Sequence, residues 1–326
     1  MKAAMSDASA LAGLPPSRSR FDIVDLARGL ALLAMFVFHF AYDLSSLRLI
    51  DFDVQSEPGW RWFARLIAGS FLTLVGVSLV LATRNSLNRH AYLKRLVMVA
   101  AAAGAVTLAT FFFMPQSFIF FGILHQIALA SVLALPFLRL PTLAVAVAAL
   151  IVFAMPALVA HPVLDQPALL WLGLSRVPVV TADYVPVFPW FGCVLLGIVL
   201  ARLALPRLES SRLATWRPRG LPARIMVWGG RHSLLVYLVH QPVFIATLSL
   251  VAFLVPAPVK EGNAFQIMCE RSCTAQAAAD FCARACACTV ETLKREQLLS
   301  RAVGNALTPS ETQRLSEIAR SCSPAR

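Results

Sequence analysis

The stretch FDIVDLARGLALLAMFVFHFAYDL, residues 21–44, is an apolar segment of bilayer length that carries several ionisable side chains. At about 100° per residue, Arg28 lies about 60° and His39 about 40° from Asp25, and Asp43 returns to the angle of Asp25. The four side chains therefore share one stripe of a predicted helix. Because charge inside a membrane is costly unless it is paired or hydrated, an aligned stripe indicates a functional site.

The first turns of this helix also allow a simpler interpretation. Asp22, Asp25 and Arg28 can lie at the membrane interface, where an i,i+3 Asp–Arg pair anchors a helix end. His39 does not fit that interpretation, because it lies about 21 Å further along the axis than Asp25. Both interpretations stay open for the charged residues of the first turns.

Composition predicts the fold class, an all-α polytopic membrane bundle with a small Cys-rich helical tail. The chain is 58% hydrophobic and 14% charged, with a mean hydropathy of +0.71, which excludes a soluble domain of this length. The seven predicted spans are 22–45, 59–83, 95–113, 118–137, 141–160, 187–204 and 233–255. The proline-rich segment 161–187 is predicted to be a loop or a re-entrant piece.

The distribution of basic residues predicts the orientation of the spans. Lysines and arginines cluster before the first span, in the second connection and in the sixth, and such clusters favour the cytoplasmic side. These residues are Lys2, Arg18, Arg20, Arg84, Arg89, Lys94, Arg95, Arg202, Arg207, Arg212, Arg217, Arg219 and Arg224. The N-terminus is therefore predicted to be inside, and the net charge of +12 is explained by topology and membrane lipid without a nucleic-acid partner.

The C-terminal tail has a different composition from the rest. The predicted domains are a cytoplasmic segment 1–20, a transmembrane domain 21–257 and an extracytoplasmic tail 258–326. Six of the seven cysteines lie in the tail: Cys269, Cys273, Cys282, Cys286, Cys288 and Cys322. Two i,i+4 pairs favour nested disulfides between two helices on the oxidising side, although six cysteines allow 15 connectivities. A zinc site is the weaker interpretation because the tail has no His, and no metal is predicted.

Polar residues also occur inside the later predicted spans. His125 and Gln126 lie in the fourth, and His240 and Gln241 lie in the seventh, directly before Pro242, which removes a helical hydrogen bond. A shared ligand cavity is one interpretation, and hydrogen bonds between helices are the other. Arg65, one turn into the second span, either pairs with Asp43 or binds an anionic group of a ligand.

Several short motifs together resemble one enzyme family. They are Arg20, Asp25, Arg28-Gly29, His39, Tyr42-Asp43-Leu44, Gly69-Ser70-Phe71, Gly76, Phe121 to Gln126, Phe188 to Gly192, Gly230 to Leu234 and His240-Gln241-Pro242. In this order, over about residues 18–255, they resemble the bacterial branch of the heparan-alpha-glucosaminide N-acetyltransferase catalytic-domain family. The opening Asp-x-x-Arg-Gly followed by His is also similar to the wider transmembrane acyltransferases.

The resemblance implies transfer of an acetyl group from cytoplasmic acetyl-CoA to an amine or hydroxyl of a sugar or envelope glycan. Acetyl-CoA would be a donor co-substrate, with no permanently bound cofactor. His39 would act as general base or transient acyl carrier, oriented by Asp43. Arg28 with Asp25 would serve the donor, and the basic connections 84–95 and 202–224 would attract it.

The resemblance also implies roles for the remaining polar residues and a location for the chain. Arg65, His125, Gln126, His240 and Gln241 would face the acceptor, in a multi-pass protein of the bacterial inner membrane with a periplasmic tail. The chain departs from the lysosomal enzyme in the connection 44–60, which has no His and instead contains Asp51, Asp53 and Glu57. A transporter remains an alternative, because it would also align charged residues on a membrane helix and kink a span with Pro. A membrane scaffold, with the Cys-rich tail as its external interaction module, is another, although it would need none of the buried His residues.

Overall fold

The computed structural model describes residues 21–323 except 48, 51, 53, 56, 85, 160, 255–260, 275–276 and 305. The predicted N-terminal segment 1–20, with Arg20, and the residues Arg48, Asp51 and Asp53 lie outside that description. Within it the regular structure is helical, as predicted, and an isolated bridge joins Phe121 to Tyr184.

Seven apolar helices correspond to the seven predicted segments. They are α1 (Asp22–Ser46), α2 (Pro58–Thr83), α3 (Arg89–Phe113), α4 (Ile123–Leu133), α5 (Thr142–Leu158), α6 (Val187–Glu209) and α8 (Ser233–Leu254), with the amphipathic α7 (Leu221–Arg231) between the last two. Five of them, α1, α2, α3, α6 and α8, are long and apolar enough to cross a membrane. The 11 residues of α4 and the 17 of α5 are shorter than the roughly 20 that a span needs, so the count of seven spans stays a prediction.

The helices differ from the predicted segments at two places. The third helix begins at Arg89 rather than at 95, because the Asn88 side chain accepts a hydrogen bond from the Ala91 N–H and caps it. The connection between α6 and α8 contains the helix α7, which was not predicted because the arginines of this connection were interpreted as a cytoplasmic loop.

By its contacts the chain divides into two units, Met1–Val37 with Trp62–Gln241, and Phe38–Arg61 with Pro242–Arg326. The predicted boundaries 1–20, 21–257 and 258–326 follow composition instead and stay a prediction. The core of the first unit lies between α2, α4, α5 and α6, around side chains such as Leu72, Val145, Val194 and Ile198, all with no exposed surface. A smaller cluster joins α3 and α4 to the first turns of α8.

Close helix crossings in the first unit depend on glycine. A Cβ on Gly76 of α2 would collide with the backbone oxygen of Val194, and one on Gly197 of α6 would collide with that of Thr73. Such contacts let backbones approach without intervening side chains.

Glycines also allow close contact between α7 and the start of α1. Gly230 of α7 faces the backbone oxygen of Asp25, and Gly29 of α1 faces the backbone oxygen of Met226, each too closely for a Cβ. The two helices are therefore held in backbone contact on both sides of the crossing.

A non-helical layer precedes α4 and covers its first turn. The Phe121 carbonyl accepts a hydrogen bond from the Val185 N–H at 3.1 Å, and the Ser117 carbonyl accepts one from the Ala182 N–H at 2.8 Å. Residues 118–122 are non-helical, so the fourth predicted span begins five residues before the helix does. The proline-rich segment 161–187 is mostly irregular with two short 3-10 helices, in agreement with the loop interpretation.

A carboxylate from this layer caps the first turn of α4. Asp183 Oδ2 accepts the Ile123 N–H at 2.8 Å, which satisfies one of the free donors of the helix. Burial raises the pKa of Asp183 to about 6, although the hydrogen bond from Ile123 opposes that rise. The carboxylate is thus a helix cap that is costly to keep ionised.

The tail, which belongs to the second unit, is a disulfide-bonded group of four helices: α9 (Glu261–Thr274), α10 (Ala279–Arg295), α11 (Leu299–Val303) and α12 (Pro309–Ser321). The predicted nested pairs are confirmed as Cys269–Cys286 and Cys273–Cys282, and a third disulfide is Cys288–Cys322. All six tail cysteines are paired in this way, which leaves none of their thiols for a zinc ion in this structure. A small core of residues such as Leu293 and Ile318 lies beneath the disulfides.

The adjacent glycines of α7 provide a matched test of the α1–α7 crossing. A Cβ on Gly230 would meet the Asp25 backbone, whereas the nearest atom to one on Gly229 is Leu32 Cδ1 at 3.9 Å. We expect Gly230→Ala to lower the free energy of unfolding by about 1–3 kcal/mol. Gly229→Ala should raise it by up to about 1 kcal/mol. Thermal unfolding of the two purified variants measures both effects, and equal melting temperatures would contradict the close crossing.

The Asp183 cap predicts a pH dependence of stability. The folded-state pKa of about 6 lies above the ordinary value of 3.8, so the folded chain binds this proton more tightly and stability decreases as the pH rises between those values. Asp183→Asn keeps an acceptor for the Ile123 N–H without the charge. Between pH 4 and pH 7 we expect the free energy of unfolding of the variant to rise relative to that of the wild type, by up to about 3 kcal/mol. Thermal unfolding across this range checks it, and parallel profiles for the two proteins would refute it.

Candidate active site

The charged end of the α1 stripe is paired rather than isolated. Asp25 is 2% exposed, and its Oδ1 accepts a hydrogen bond from Arg28 Nη1 at 2.8 Å. The other terminal nitrogen, Arg28 Nη2, donates to the Ser78 hydroxyl of α2 at 2.5 Å. One guanidinium therefore joins the first turns of α1 to the second half of α2.

Two arginines from outside α1 complete what we call the α1–α7 ion cluster, formed by Asp22, Asp25, Arg28, Arg217 and Arg231. Arg231 Nη2 lies 2.6 Å from Asp22 Oδ1, and its Nε lies 3.4 Å from Asp25 Oδ2. Arg217 Nη1 lies 3.6 Å from Asp22 Oδ2. Two buried carboxylates thus face three guanidiniums, which leaves a local excess of one positive charge.

A cavity of about 200 Å³ lies beside this cluster, between α2, α3 and α4. Its wall includes Ser78, the residue to which Arg28 donates, and the polar side chains of Tyr92, Arg95 and Ser131. The Tyr92 hydroxyl donates to the Ser131 carbonyl at 3.0 Å, which ties α3 to α4 at the wall. The cavity therefore has apolar helix faces together with cationic and hydroxyl groups.

His39 and Asp43 lie further along α1, one helical turn apart. Asp43 is 3% exposed, and both His39 Nδ1 and Asp43 Oδ2 are buried atoms. Aromatic rings line this part of the chain: Phe38 lies edge-on to His39 with centroids 5.5 Å apart, and it also packs against Tyr42 and Trp60. A half-buried imidazole and a buried carboxylate at i,i+4 spacing, among aromatic rings, form an arrangement suited to proton transfer.

His125 has both ring nitrogens engaged. Its Nδ1 accepts the Gly122 N–H at 3.3 Å, so the neutral ring carries its proton on Nε2, which donates to the Thr107 hydroxyl at 3.1 Å. Thr107 in turn donates to the Ile119 carbonyl at 2.7 Å. The ring thereby fixes the start of α4 against α3.

Gln126, the next residue, is fully buried. Within the part of the chain that the structure describes, neither atom of its side-chain amide has a hydrogen-bond partner. A buried amide in this state costs about 1–3 kcal/mol, which a bound polar group would recover. Gln126 therefore has the properties of a ligand-contacting residue.

His240 is 7% exposed and stacks on Phe36, with ring centroids 5.5 Å apart. Its Nδ1 lies 2.5 Å from the Tyr237 carbonyl, which only accepts, so Nδ1 carries the proton and Nε2 is the acceptor nitrogen of the neutral ring. Gln241 follows it with a buried amide oxygen. Arg65 differs from these residues, because it is exposed and its guanidinium lies 4.9 Å from the Trp62 ring centroid.

A second cavity, of about 380 Å³, lies along α3 and α4. His125, Phe121 and Trp171 are at its aromatic part, and small residues such as Ala103 and Ala128 form the remainder. Phe121 packs against both His125 and Trp171, with centroids 5.8 Å and 6.1 Å apart. This cavity is largely apolar, in contrast to the first.

Sequence reasoning missed several residues of these sites. Arg231 lies in a motif that it singled out, but no role was inferred because the residue is 206 positions from Asp25. Ser78 and Asp183 gave no signal, since a lone serine in an apolar run and an acid in a loop are ordinary. A Gly-Gly-Arg run at the end of an amphipathic helix is the one feature that could have indicated Arg231.

In residues 21–323, apart from the gaps given above, no group of three or more His, Cys, Asp or Glu side chains is arranged to hold a metal ion. Cys193, the remaining cysteine, lies on α6 with its sulfur 3.7 Å from the position of a Cβ on Gly69, as expected of a packing residue.

Comparison with known proteins gives one match. The family model of the heparan-alpha-glucosaminide N-acetyltransferase catalytic domain matches residues 20–242, about two thirds of the chain, from the start of α1 to Gln241 and Pro242 in α8. Neither a curated protein nor a solved structure matches the chain. The resemblance in the sequence is thus confirmed, while the bacterial branch stays a prediction. The chain belongs to the heparan-alpha-glucosaminide N-acetyltransferase catalytic family, and this membership implies a membrane acetyltransferase.

Proposed function

We propose that the chain takes an acetyl group from acetyl-CoA on the cytoplasmic side and transfers it to an amine or hydroxyl of a sugar or envelope glycan on the other side. Family membership supports the acetyl transfer. The observation that carries the proposal is the composition of α1, which has the α1–α7 ion cluster at its first turns and, near its end, the half-buried His39 one turn before the buried Asp43.

In this proposal the donor, acetyl-CoA, binds in the cavity of about 200 Å³. Acetyl-CoA carries phosphates, which need cationic partners, and an uncharged arm, which needs a narrow apolar slot. Arg95 on the cavity wall supplies a cation, and Arg28 reaches the same wall through Ser78. Asp25 holds Arg28 in place, so its proposed role is to orient the guanidinium.

The chemical step is assigned to His39 and Asp43. His39 accepts the proton of the acceptor N–H or O–H while the acceptor atom attacks the thioester carbonyl carbon. The C–S bond then breaks, and the proton passes to the CoA thiolate. Asp43 orients the imidazole and stabilises its protonated form. A transient acetyl group on His39 is the other route to the same products.

The acceptor side is assigned to His125, Gln126, His240, Gln241 and Arg65. Gln126 has the strongest support, because its buried amide gains from a polar ligand. His125 positions the first turn of α4, since both of its nitrogens are already engaged. The exposed Arg65 is available for an anionic group of the acceptor.

The orientation of the chain in a bacterial inner membrane, with the N-terminus cytoplasmic and the tail periplasmic, belongs to the same proposal. The three disulfides of the tail support it, because such bonds persist in oxidising compartments. The basic residues before α3 and between α6 and α8 support it by the positive-inside rule.

His39→Ala tests the chemical step. We expect kcat for acetyl transfer to decrease at least about 100-fold, because general acid–base groups contribute factors of this size or more. The assay follows labelled acetyl from acetyl-CoA to extracted envelope glycans, with the melting temperature as a check of folding. His90→Ala, at an exposed position of α3, is the matched control and should keep full activity. Retained transfer in folded His39→Ala would refute the assignment.

The same assay separates the proposal from its alternatives. If the wild type neither binds nor consumes acyl-CoA, the family fold is present without donor chemistry, and transport or scaffolding becomes the better hypothesis.

Arg95→Gln tests the donor cavity. We expect the KM for acetyl-CoA to rise about tenfold with little change in kcat, because a hydrogen bond to a charged group is lost. Arg139→Gln, the same substitution at an exposed position outside the two basic connections 84–95 and 202–224, should leave the KM unchanged. An equal rise for the two variants would show only a general effect of charge and would contradict a donor site in this cavity.

A further inference from the structure

The exposed face of α7 is apolar, although α7 lies in the most basic part of the chain. Leu221, Ile225 and Trp228 are 69%, 50% and 56% exposed. At about 100° per residue they lie within about 60° of one another, so they form a single ridge. Such a ridge on a helix of 11 residues is too short to cross a bilayer.

The opposite face of the same helix is already occupied. Gly230 lies about 180° from Leu221, and it is in backbone contact with α1. Val227, 2% exposed, belongs to the buried side as well. The ridge therefore points away from the helix to which α7 is fixed.

Arginines surround this ridge. Residues 210–235 contain five arginines and no acidic residue. Arg217 and Arg231 bind the carboxylates of α1. Arg212, Arg219 and Arg224 are exposed, and among the residues that the structure describes their side chains have no hydrogen-bond or ion-pair partner. A surface with three uncompensated guanidiniums beside an apolar ridge is complementary to a layer of anionic groups above acyl chains.

We propose that residues 211–231 are a binding site for anionic phospholipid, with the ridge of Leu221, Ile225 and Trp228 inserted among the acyl chains and Arg212, Arg219 and Arg224 bound to headgroup phosphates. The helix lies in the membrane interface rather than across it. Because its other face is locked to Asp25 and Asp22 of α1, lipid bound here stabilises the end of α1 that carries the ion cluster. This inference needs the chain to be a membrane protein and does not depend on acetyl transfer.

The first test measures the melting temperature of the full chain in nanodiscs. Discs of phosphatidylcholine alone are compared with discs of an equimolar mixture of phosphatidylcholine and phosphatidylglycerol. We expect the anionic lipid to raise the melting temperature of the wild type, and the triple variant R212Q/R219Q/R224Q to lose most of that gain. The matched control R271Q/R284Q/R320Q makes the same charge change on exposed residues of the tail and should keep the gain.

A titration of the detergent-solubilised protein with phosphatidylglycerol gives the size of the effect. At about fivefold in affinity for each arginine near the surface, the triple variant should bind roughly 100-fold more weakly. Insertion of the ridge is measured separately by quenching with brominated phosphatidylcholine. Trp228→Phe should reduce the quenched share of the tryptophan fluorescence, whereas Trp216→Phe should not.

Three outcomes would overturn the proposal. Equal melting temperatures of the wild type in the two kinds of disc would show no preference for anionic lipid. An equal loss in the tail control would show an effect of net charge alone. Weaker binding of CoA by the triple variant in phosphatidylcholine discs would assign these arginines to the donor instead of to lipid.

Discussion

Two buried carboxylates at the start of α1, Asp22 and Asp25, are the constraint on which much of the first unit depends. An ionised carboxylate in an apolar setting is stable only when it is paired and hydrogen-bonded. The chain meets this requirement with Arg28 from the same helix and Arg231 from a distant one. The pairing needs α7 to lie against α1 at backbone distance, and the two facing glycines at the crossing make that approach possible. Charge and small residues thus act together at one place.

The sequence predicts much of the fold because its dominant signal is local. Seven apolar stretches predict seven helices, and the spacing of Cys269, Cys273, Cys282 and Cys286 predicts the nested disulfides. The features that it does not predict come from pairs of residues far apart in the chain. Asp183 caps α4, which begins 60 residues earlier in the chain. The non-helical segment before α4 is hydrogen-bonded to the loop that contains Asp183. No periodicity within a single window contains this information.

The same distinction between local and long-range information applies to the candidate site. Helical periodicity is sufficient to align Asp25, Arg28, His39 and Asp43, because all four belong to one helix. It cannot find Ser78 or Arg231, which meet α1 only in three dimensions. It also cannot separate the roles of His125 and Gln126, which are adjacent in sequence. The structure separates them, since His125 has both nitrogens engaged whereas Gln126 has a buried amide without a partner in the described part of the chain.

The arginines of this protein therefore have to be assigned one by one, by what each guanidinium contacts, and not by the charge of a segment. Arg231 and Arg217 neutralise α1, Arg95 borders a cavity, and Arg224 projects beside an apolar ridge. These three settings differ in the partner, because Arg231 and Arg217 contact carboxylates that are themselves 2–6% exposed. An ion pair with a buried carboxylate is part of the fold, and salt in solution weakens it less than a pair between two exposed groups. An exposed arginine is screened by salt and exchanges its partners, so it suits a lipid headgroup or an incoming donor.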